Sequence, residues 1–194
     1  VLFRSLLHST GLYYFSDFVL NVSILLLSNR PIMAAMNLLS RILPPSNIVL
    51  DIAVTSKKRA FEQAGLLFEN HHGIARTAIF QSLIARERLG STALGHEVAV
   101  PHGRIKDLKD PIGAFMRLAE PIRFDASDGR SARLLFFLLV PEHATQIHLD
   151  LLAEIARLMS DNDLRYQLET ENDPAIIHQL LTTSAEGNLH AEHS

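Results

Sequence analysis

The hydrophobic positions from residue 37 onward predict strands mixed with helices. Continuous apolar runs between turn residues are typical of strands buried on both faces, whereas apolar positions three or four apart are typical of helices packed on a core. The run LLFFLLV at 134–140 is continuously apolar and predicts a central strand. We predict strands at 48–54, 97–100, 112–118 and 133–140, a short amphipathic stretch at 37–43, and helices at 57–69, 77–89, 149–159, 161–168 and 173–181.

Capping residues support several of these boundaries. The pair Thr55 and Ser56 offers a cap for the first long helix, and Gly90 is a natural C-terminal cap for the second. Thr145 can cap the helix that follows the central strand, and Pro174 suits the first turn of the last helix. Since strands and helices are mixed without an internal repeat, we expect a three-layer α/β domain over residues 37–183, in which helices flank a mixed β-sheet.

The two ends of the chain differ from this pattern. Residues 1–32 are more apolar and begin with Val, and we expect them to be an extension that is not native to the domain; an additional packed helix is the alternative. Their longest apolar-rich run, 18–27, is too short for a membrane span of about 20 residues, so we expect no membrane insertion. Residues 184–194 are expected to form a flexible tail.

Composition and charge narrow the possible chemistry. The chain has 194 residues, of which 47% are hydrophobic and 20% are charged, and this suits one globular domain with its own core. The absence of cysteine excludes disulfides, thiolate metal sites and cysteine nucleophiles. The net charge of -3, without a dense Lys/Arg block, argues against a dedicated nucleic-acid binder and favours proteins or small anions as partners.

Several familiar catalytic signatures are missing from the chain. His96 and Glu97 begin like the zinc-protease motif HExxH, but Val100 stands at the second histidine position. There is no P-loop signature, no GxGxxG fingerprint and no GxSxG nucleophile elbow. The histidine pairs 71/72 and 143/148 lack the helical spacing that would direct two rings at one metal, so we expect neither a metal nor a cofactor.

His102 lies between Pro101 and Gly103 in the stretch GHEVAVPHGR at 95–104. Proline removes a backbone donor and glycine tolerates close approaches, so we expect the strand to stop here with the imidazole at its tip. A neutral imidazole is a good nucleophile near pH 7 and can accept a phosphoryl group and pass it on. A histidine that only caps the turn is the alternative.

A second histidine and two arginines complete the candidate site. His148 lies near the start of the helix after the central strand and could hydrogen-bond His102 or a phosphoryl oxygen; a partly buried helix histidine is the alternative. Arg86, near the end of the second helix, and Arg104, just after His102, carry guanidinium groups that match phosphate oxygens. For Arg104 a solvated surface position is the alternative.

Small polar residues follow Arg86 in the stretch RERLGST at 86–92. Ser91 and Thr92 add hydroxyl donors close to it. We expect Arg88 to be solvated, and Glu87 to be a helix-surface partner of another residue rather than an acid catalyst. We assign phosphoryl binding to Arg104, Ser91, Thr92 and Gly103.

Two stretches of the chain together resemble a known family. RERLGSTALGHEVAVPHGR at 86–104 and PIRFDASDGRSARLLFFLLVPEHATQIHLDLLAEIARLM at 121–159 are similar to the type-2 enzyme IIA domain of the bacterial phosphotransferase system, and more closely to the stand-alone nitrogen-regulatory enzyme IIA. The combination of RERLGST, VPHG and HLDLL carries the resemblance. It implies that His102 is the phosphorylated residue, His148 the supporting histidine and Arg86 the arginine of the pocket.

The resemblance also implies a function. A phosphohistidine on an HPr-like carrier protein would donate its phosphoryl group to His102, in a cytoplasmic phosphotransferase that needs no cofactor. The phosphorylation state would then regulate partner proteins in nitrogen, potassium or carbon control, such as a potassium transporter or a sensor kinase.

Glu97 departs from the family pattern, which usually has a small residue, often glycine, at this position. Its carboxylate adds negative charge near the acceptor of a negatively charged group, so we expect altered donor affinity or an altered loop. The alternative function is therefore a protein-binding module that keeps the fold but has lost phosphoryl acceptance. A metal-dependent hydrolase is a more distant alternative, since its motifs are missing.

Overall fold

The computed structural model describes residues 38–143 and 146–183, which form six strands and six helices around one sheet. In chain order the elements are α1 (Leu38–Ile42), a short 3-10 helix (Pro45–Asn47), β1 (Ile48–Ile52), α2 (Lys57–His72), α3 (Arg76–Glu87), β2 (Ala93–Gly95), β3 (Val98–Ala99), β4 (His102–Ile105), β5 (Ile112–Ile122), β6 (Ala132–Pro141), α4 (Gln146–Ser160), α5 (Asn162–Thr170) and α6 (Pro174–Thr183).

The sheet is mixed, and β6 is its central strand. The strand order is β1-β5-β6-β3-β2, and β4 also pairs with β6, beyond the end of β3. β6 runs antiparallel to β5 and parallel to β3 and β4, while β1 is parallel to β5. All seven residues of the apolar run 134–140 are buried, which confirms the predicted central strand.

Helices cover both faces of the sheet and make the three predicted layers. Alternate residues of β6 point to opposite faces, as the period of a strand requires. Leu134, Phe136 and Leu138 belong to a core that includes residues of α1, α4, α5 and α6. Leu135 and Phe137 belong to the other core, with residues of α2 and α3. The mixed sheet flanked by helices is therefore confirmed.

Local capping accounts for some of the helix boundaries. Ser56 caps α2, where its hydroxyl accepts a hydrogen bond from the Arg59 amide, and Gly73 ends that helix with a φ of 68°. Pro174 is the first residue of α6, as expected. α3 stops at Glu87, two residues before the predicted end. Thr145 and the two chain ends, 1–32 and 184–194, lie outside the described residues.

The position of His102 differs from the prediction. The strand breaks at Val100 and Pro101, and His102 is the first residue of a new strand, β4, where it pairs with Leu138. Only 5% of its surface is exposed, so the imidazole is not held out at a strand tip. β3 does end before Pro101, but the expectation of an imidazole at a strand tip is wrong, because proline interrupts the pairing for two residues without turning the chain away from β6: the Leu138 amide donates to the Pro101 carbonyl.

Gly103 lets α3 pack directly against β4. A Cβ at this position would overlap the Ser82 hydroxyl, which donates to the Arg104 carbonyl. Only glycine therefore allows this close approach, and α3 is held against the strand that begins with His102.

A two-residue turn joins β2 to β3, and its backbone is unusual. Gly95 pairs with Val98, and the two residues between them, His96 and Glu97, have φ values of 51° and 65°. Left-handed angles at both central positions define a type I′ hairpin turn, which favours Asn followed by Gly. Glu97 thus occupies a position at which glycine relieves strain. The Asp128 carboxylate supports the turn by accepting a hydrogen bond from the His96 amide.

A buried arginine fastens the end of α5 to the sheet. Arg117 on β5 is 1% exposed, and its guanidinium binds both oxygens of Asp51. The same group donates to three backbone carbonyls and one side-chain oxygen where α5 ends; these belong to Leu168, Glu169, Glu171 and Asn172.

No helix in the described ranges is long and apolar enough to cross a membrane.

Candidate functional site

The two ring nitrogens of His102 have different partners. Nδ1 lies 2.9 Å from the Val100 carbonyl oxygen, and Nε2 lies 2.9 Å from Nε of Arg86. A carbonyl can only accept, so Nδ1 carries the proton. The Arg86 Nε–H then donates to the lone pair of Nε2. The protein therefore holds His102 as a single tautomer of the neutral ring, with its nucleophilic nitrogen toward Arg86.

His148 on α4 lies beside His102, in keeping with the supporting role that the family resemblance implies. The ring centroids are 5.2 Å apart and the rings are inclined by 62°. Nε2 of His148 is buried and has no hydrogen-bond partner within the part of the chain that the structure describes. A buried nitrogen that lacks a partner costs free energy, so this atom is available to a group that enters the pocket.

Burial keeps both imidazoles neutral. It lowers the pKa of His102 to about 3, with a further contribution from the positive charge of Arg86, while the hydrogen bond to Val100 acts in the opposite direction. Burial also lowers the pKa of His148 to about 4, and the charges of Arg104 and Arg86 add to this shift. At neutral pH both rings therefore keep an unprotonated nitrogen.

Arg86 brings a positive charge into the pocket. Its Nη1 donates to the Gly90 carbonyl, and among residues 38–143 and 146–183 no ion pair joins its guanidinium to a carboxylate. Burial lowers the pKa of Arg86, and the neighbouring charge of Glu87 opposes this. A charged group held in this way is suited to bind an anion.

Arg104 lies next to this pocket but is exposed. It follows Gly103 on β4, and its guanidinium donates to the Glu142 carbonyl just beyond β6. Its charge reaches the pocket, because it contributes to the lowered pKa values of both histidines.

The hydroxyl groups of Ser91 and Thr92 are engaged elsewhere in the protein. Ser91 Oγ donates to the Phe124 carbonyl and accepts from the Ala93 amide. Thr92 is buried, and its hydroxyl donates to Glu87 over 2.7 Å. Phosphoryl binding by these two side chains stays a prediction, and it requires them to exchange these bonds.

Glu87 pairs with other residues, as expected, but its position on the helix surface was not predicted correctly. Its side chain is only 9% exposed. One carboxylate oxygen accepts from Lys57 Nζ over 2.9 Å, and the other accepts from the amide and hydroxyl of Thr92. The sequence offers little signal for these contacts, because Lys57 lies 30 residues away along the chain.

Metal ligands do not cluster in the described parts of the chain, where no group of three or more candidate side chains is close enough to hold an ion. His71 and His72 both bind the side chain of Asn47, with distances of 2.9 and 3.0 Å. Asn47 also donates to the Gly113 carbonyl, which ties the end of α2 to the start of β5.

Comparison with known proteins agrees with this geometry. The family model of the phosphoenolpyruvate-dependent sugar phosphotransferase system, EIIA 2, matches residues 41–184. A nitrogen regulatory protein of Pseudomonas aeruginosa is 39% identical over 150 residues, which is 77% of this chain and 97% of that protein.

Two solved structures share the fold. The crystal structure of the nitrogen regulatory protein IIA-Ntr from Neisseria meningitidis superimposes with a TM-score of 0.72 and 48% identity, over 75% of this chain and 99% of that one. The crystal structure of IIA mannitol from Escherichia coli gives a TM-score of 0.61 and 25% identity, over 71% of this chain and 97% of that one. The resemblance noted in the sequence is thereby confirmed, and the chain belongs to the EIIA 2 family of the phosphoenolpyruvate-dependent sugar phosphotransferase system.

Proposed function

We propose that this protein is a phosphoryl carrier that accepts a phosphoryl group on Nε2 of His102 from a phosphohistidine of an HPr-like protein. One observation carries the proposal: a buried, neutral imidazole has its Nδ1 proton on a backbone carbonyl and its Nε2 beside a guanidinium that has no acidic partner in the described ranges. This arrangement combines a nucleophile with a positive charge for the oxygens of the incoming group.

The transfer step follows from the hydrogen bonds of His102. The Nε2 lone pair attacks the phosphorus of the donor, the donor's P–N bond breaks, and its electron pair returns to the donor imidazole nitrogen. The Nδ1 proton stays on His102, where the Val100 carbonyl stabilises the positive charge that develops on the ring. No proton has to leave His102 for the new P–N bond to form.

Arg86 has to change partners during this step. Its Nε–H occupies the same lone pair that forms the new bond, so it must leave Nε2 before phosphorus approaches. The guanidinium can then bind the phosphoryl oxygens, and the Gly90 carbonyl at Nη1 keeps it close to the site. His148 and Arg104 supply a second imidazole and a second charge near the acceptor.

The regulatory role is proposed from the relatives. Several carry the name nitrogen regulatory protein, so we propose that the phosphorylation state of His102 controls partner proteins in nitrogen, potassium or carbon regulation. A potassium transporter or a sensor kinase is a suitable class of target, and the cytoplasm is the compartment in which an HPr-like donor would be met.

The decisive experiment is the intact mass of the protein after incubation with enzyme I, an HPr-like carrier and phosphoenolpyruvate. We expect wild type to gain one acid-labile phosphoryl group and His102→Ala to gain none. His143→Ala, which changes an exposed histidine outside the pocket, is the matched control and should be labelled like wild type. Labelling of His102→Ala would contradict the assignment of the acceptor, and absence of labelling in wild type would favour the protein-binding module.

A further inference from the structure

Glu87 is the last residue of α3 and stands next to Arg86, yet it does not face the pocket. Its Oε2 accepts from the Thr92 amide over 3.0 Å and from the Thr92 hydroxyl over 2.7 Å. Its Oε1 accepts from Lys57 Nζ, which also binds Asp125. The carboxylate thus joins the end of α3 to the residue that precedes β2.

A continuous series of hydrogen bonds leads from Glu87 to Nδ1 of His102. Thr92, held by Glu87, accepts at its carbonyl from the Val100 amide over 2.9 Å. Val100 in turn accepts at its own carbonyl from Nδ1 of His102, also over 2.9 Å. The carbonyl that keeps the proton on Nδ1 is therefore fixed in place by a residue that Glu87 holds.

Glu87 also helps to close the loop that holds Arg86. The chain between α3 and β2 is closed twice: by the Glu87 carboxylate on Thr92, and by Arg86 Nη1 on the Gly90 carbonyl. Because both closures span the same few residues, a shift of Thr92 also displaces the carbonyl that anchors Arg86. The partners of both ring nitrogens of His102 therefore depend on this one carboxylate.

We infer that Glu87 is a positioning residue for His102, an inference that rests on the proposed phosphoryl-carrier function. Its carboxylate fixes Thr92, and through Thr92 it sets both the Val100 carbonyl at Nδ1 and the loop that carries Arg86 to Nε2. Glu87 keeps the ring in the tautomer whose lone pair is on Nε2, and it touches neither the donor nor the phosphoryl group.

The side chain at position 87 has to accept hydrogen bonds from Lys57 on one side and from Thr92 on the other. Three donor groups, two from Thr92 and one from Lys57, converge on the two oxygens. A carboxylate has acceptor sites on both oxygens, whereas an amide has one oxygen and an NH2 group that would face a donor. Glutamine can therefore keep the bonds to Thr92 only by giving up Lys57.

The test combines kinetics with a direct measurement of the tautomer. Single-turnover transfer from a phosphorylated HPr-like carrier is timed for wild type, Glu87→Gln and Glu87→Ala, and the protonated nitrogen of His102 is identified by long-range proton–nitrogen NMR correlation. We expect Glu87→Ala to slow transfer about 10–100-fold and to show a mixture of ring tautomers, because a displaced supporting partner misplaces the reacting group. Glu87→Gln should lie between Glu87→Ala and wild type.

Two control variants separate positioning from simple loss of stability. Asp125→Asn removes the other carboxylate on Lys57 but leaves the bonds from Glu87 to Thr92, so it should transfer at the wild-type rate. Arg117→Met removes a buried network on another part of the sheet; its folded fraction should also transfer normally and keep the proton on Nδ1. A slow rate confined to the Glu87 variants would support the inference.

A folded Glu87→Ala protein with the wild-type rate, or with the wild-type tautomer, would overturn the inference. If Glu87→Ala does not fold, the nearly isosteric Glu87→Gln carries the same two outcomes. Failure of the proposed function gives a different result, since wild type itself would then accept no phosphoryl group, and the NMR measurement would still test whether Glu87 sets the tautomer.

Discussion

Arg117 and Arg86 both bring a guanidinium into the protein, and their surroundings differ. Arg117 binds a carboxylate through two nitrogens and satisfies the carbonyls at the end of α5. Arg86 has a ring nitrogen and one carbonyl as partners, and no carboxylate pairs with it in the described ranges. A buried charge whose partners are all present stabilises one arrangement of the chain. A charge that lacks an anionic partner instead favours the binding of an anion, because the anion compensates it.

The two histidines of the pocket also differ in whether their ring nitrogens have partners. Nδ1 of His102 is satisfied by Val100, but Nε2 of His148 has no partner in the part of the chain the structure describes. Burial depresses the pKa values of both rings, which means that the fold disfavours their protonated forms. The pocket therefore holds polar groups in states that cost stability, and such states are common where a protein performs chemistry.

The largest effect is expected from Arg86→Met. It should slow phosphoryl acceptance roughly 10²–10³-fold, about 3–4 kcal/mol of barrier, because the charge that balances the phosphoryl oxygens is lost. The free energy of unfolding should change little, since the loss of the hydrogen bonds to His102 and Gly90 is offset by removal of a partly buried charge that pairs with no carboxylate in the described ranges. Single-turnover kinetics and urea unfolding measure the two quantities, and Arg59→Met, at an exposed site on α2, is the control. A large loss of stability with an unchanged rate of phosphoryl acceptance would show that Arg86 has a structural role, as Arg117 does.

The pKa of His102 gives the same variant an independent readout. Arg86 is the largest charge effect that lowers this pKa, so Arg86→Met should raise it from about 3 toward the ordinary value of 6.5. In wild type the ring is neutral above about pH 4, and acceptance should show no loss as the pH falls through 6.5. NMR titration of His102 between pH 4 and 8 checks this, and a wild-type midpoint near 6.5 would contradict it.

Arg117→Met should have the opposite profile. The carbonyls of Leu168, Glu169 and Glu171 lose their donor, so we expect the free energy of unfolding to fall by about 2–3 kcal/mol. Asp51 is half exposed and can be solvated again, which keeps the loss below that of a fully buried pair. Phosphoryl acceptance by the folded protein should be unchanged. A slower rate of acceptance with unchanged stability would show that Arg117 also contributes to the phosphoryl transfer.

The sequence predicted the elements with strong local signals and missed those that depend on distant contacts. The central strand followed from its apolar run, and the cap of α2 from Ser56. β2 and β4 are three and four residues long, too short for a periodic pattern, and were not predicted. The proximity of His102 and His148 was anticipated through the family resemblance. The contacts of Arg117 and the pairing of Glu87 with Lys57 were not, since these partners lie 30 or more residues apart along the chain.

Variants of Glu97 test whether the β2–β3 turn affects stability, as Arg117 does, or phosphoryl acceptance, as Arg86 does. Its φ of 65° is a conformation that costs a non-glycine residue about 1 kcal/mol, so Glu97→Gly should raise the free energy of unfolding by about that amount and the Tm by about 2–4 °C. Glu97→Gln removes the charge but keeps the Cβ, so it should leave the stability unchanged.

The same pair of variants distinguishes strain from charge at the acceptor. Glu97 lies about 13 Å from His102 along the sheet, because its carbonyl accepts from the Leu134 amide, whereas His102 pairs with Leu138, four residues further along β6. We therefore expect both Glu97 variants to accept a phosphoryl group at the wild-type rate, with only Glu97→Gly more stable. If Glu97→Gln accelerates acceptance as much as Glu97→Gly does, the carboxylate itself repels the donor. The turn would then affect phosphoryl acceptance, as Arg86 does, and not only the stability of the fold, as Arg117 does.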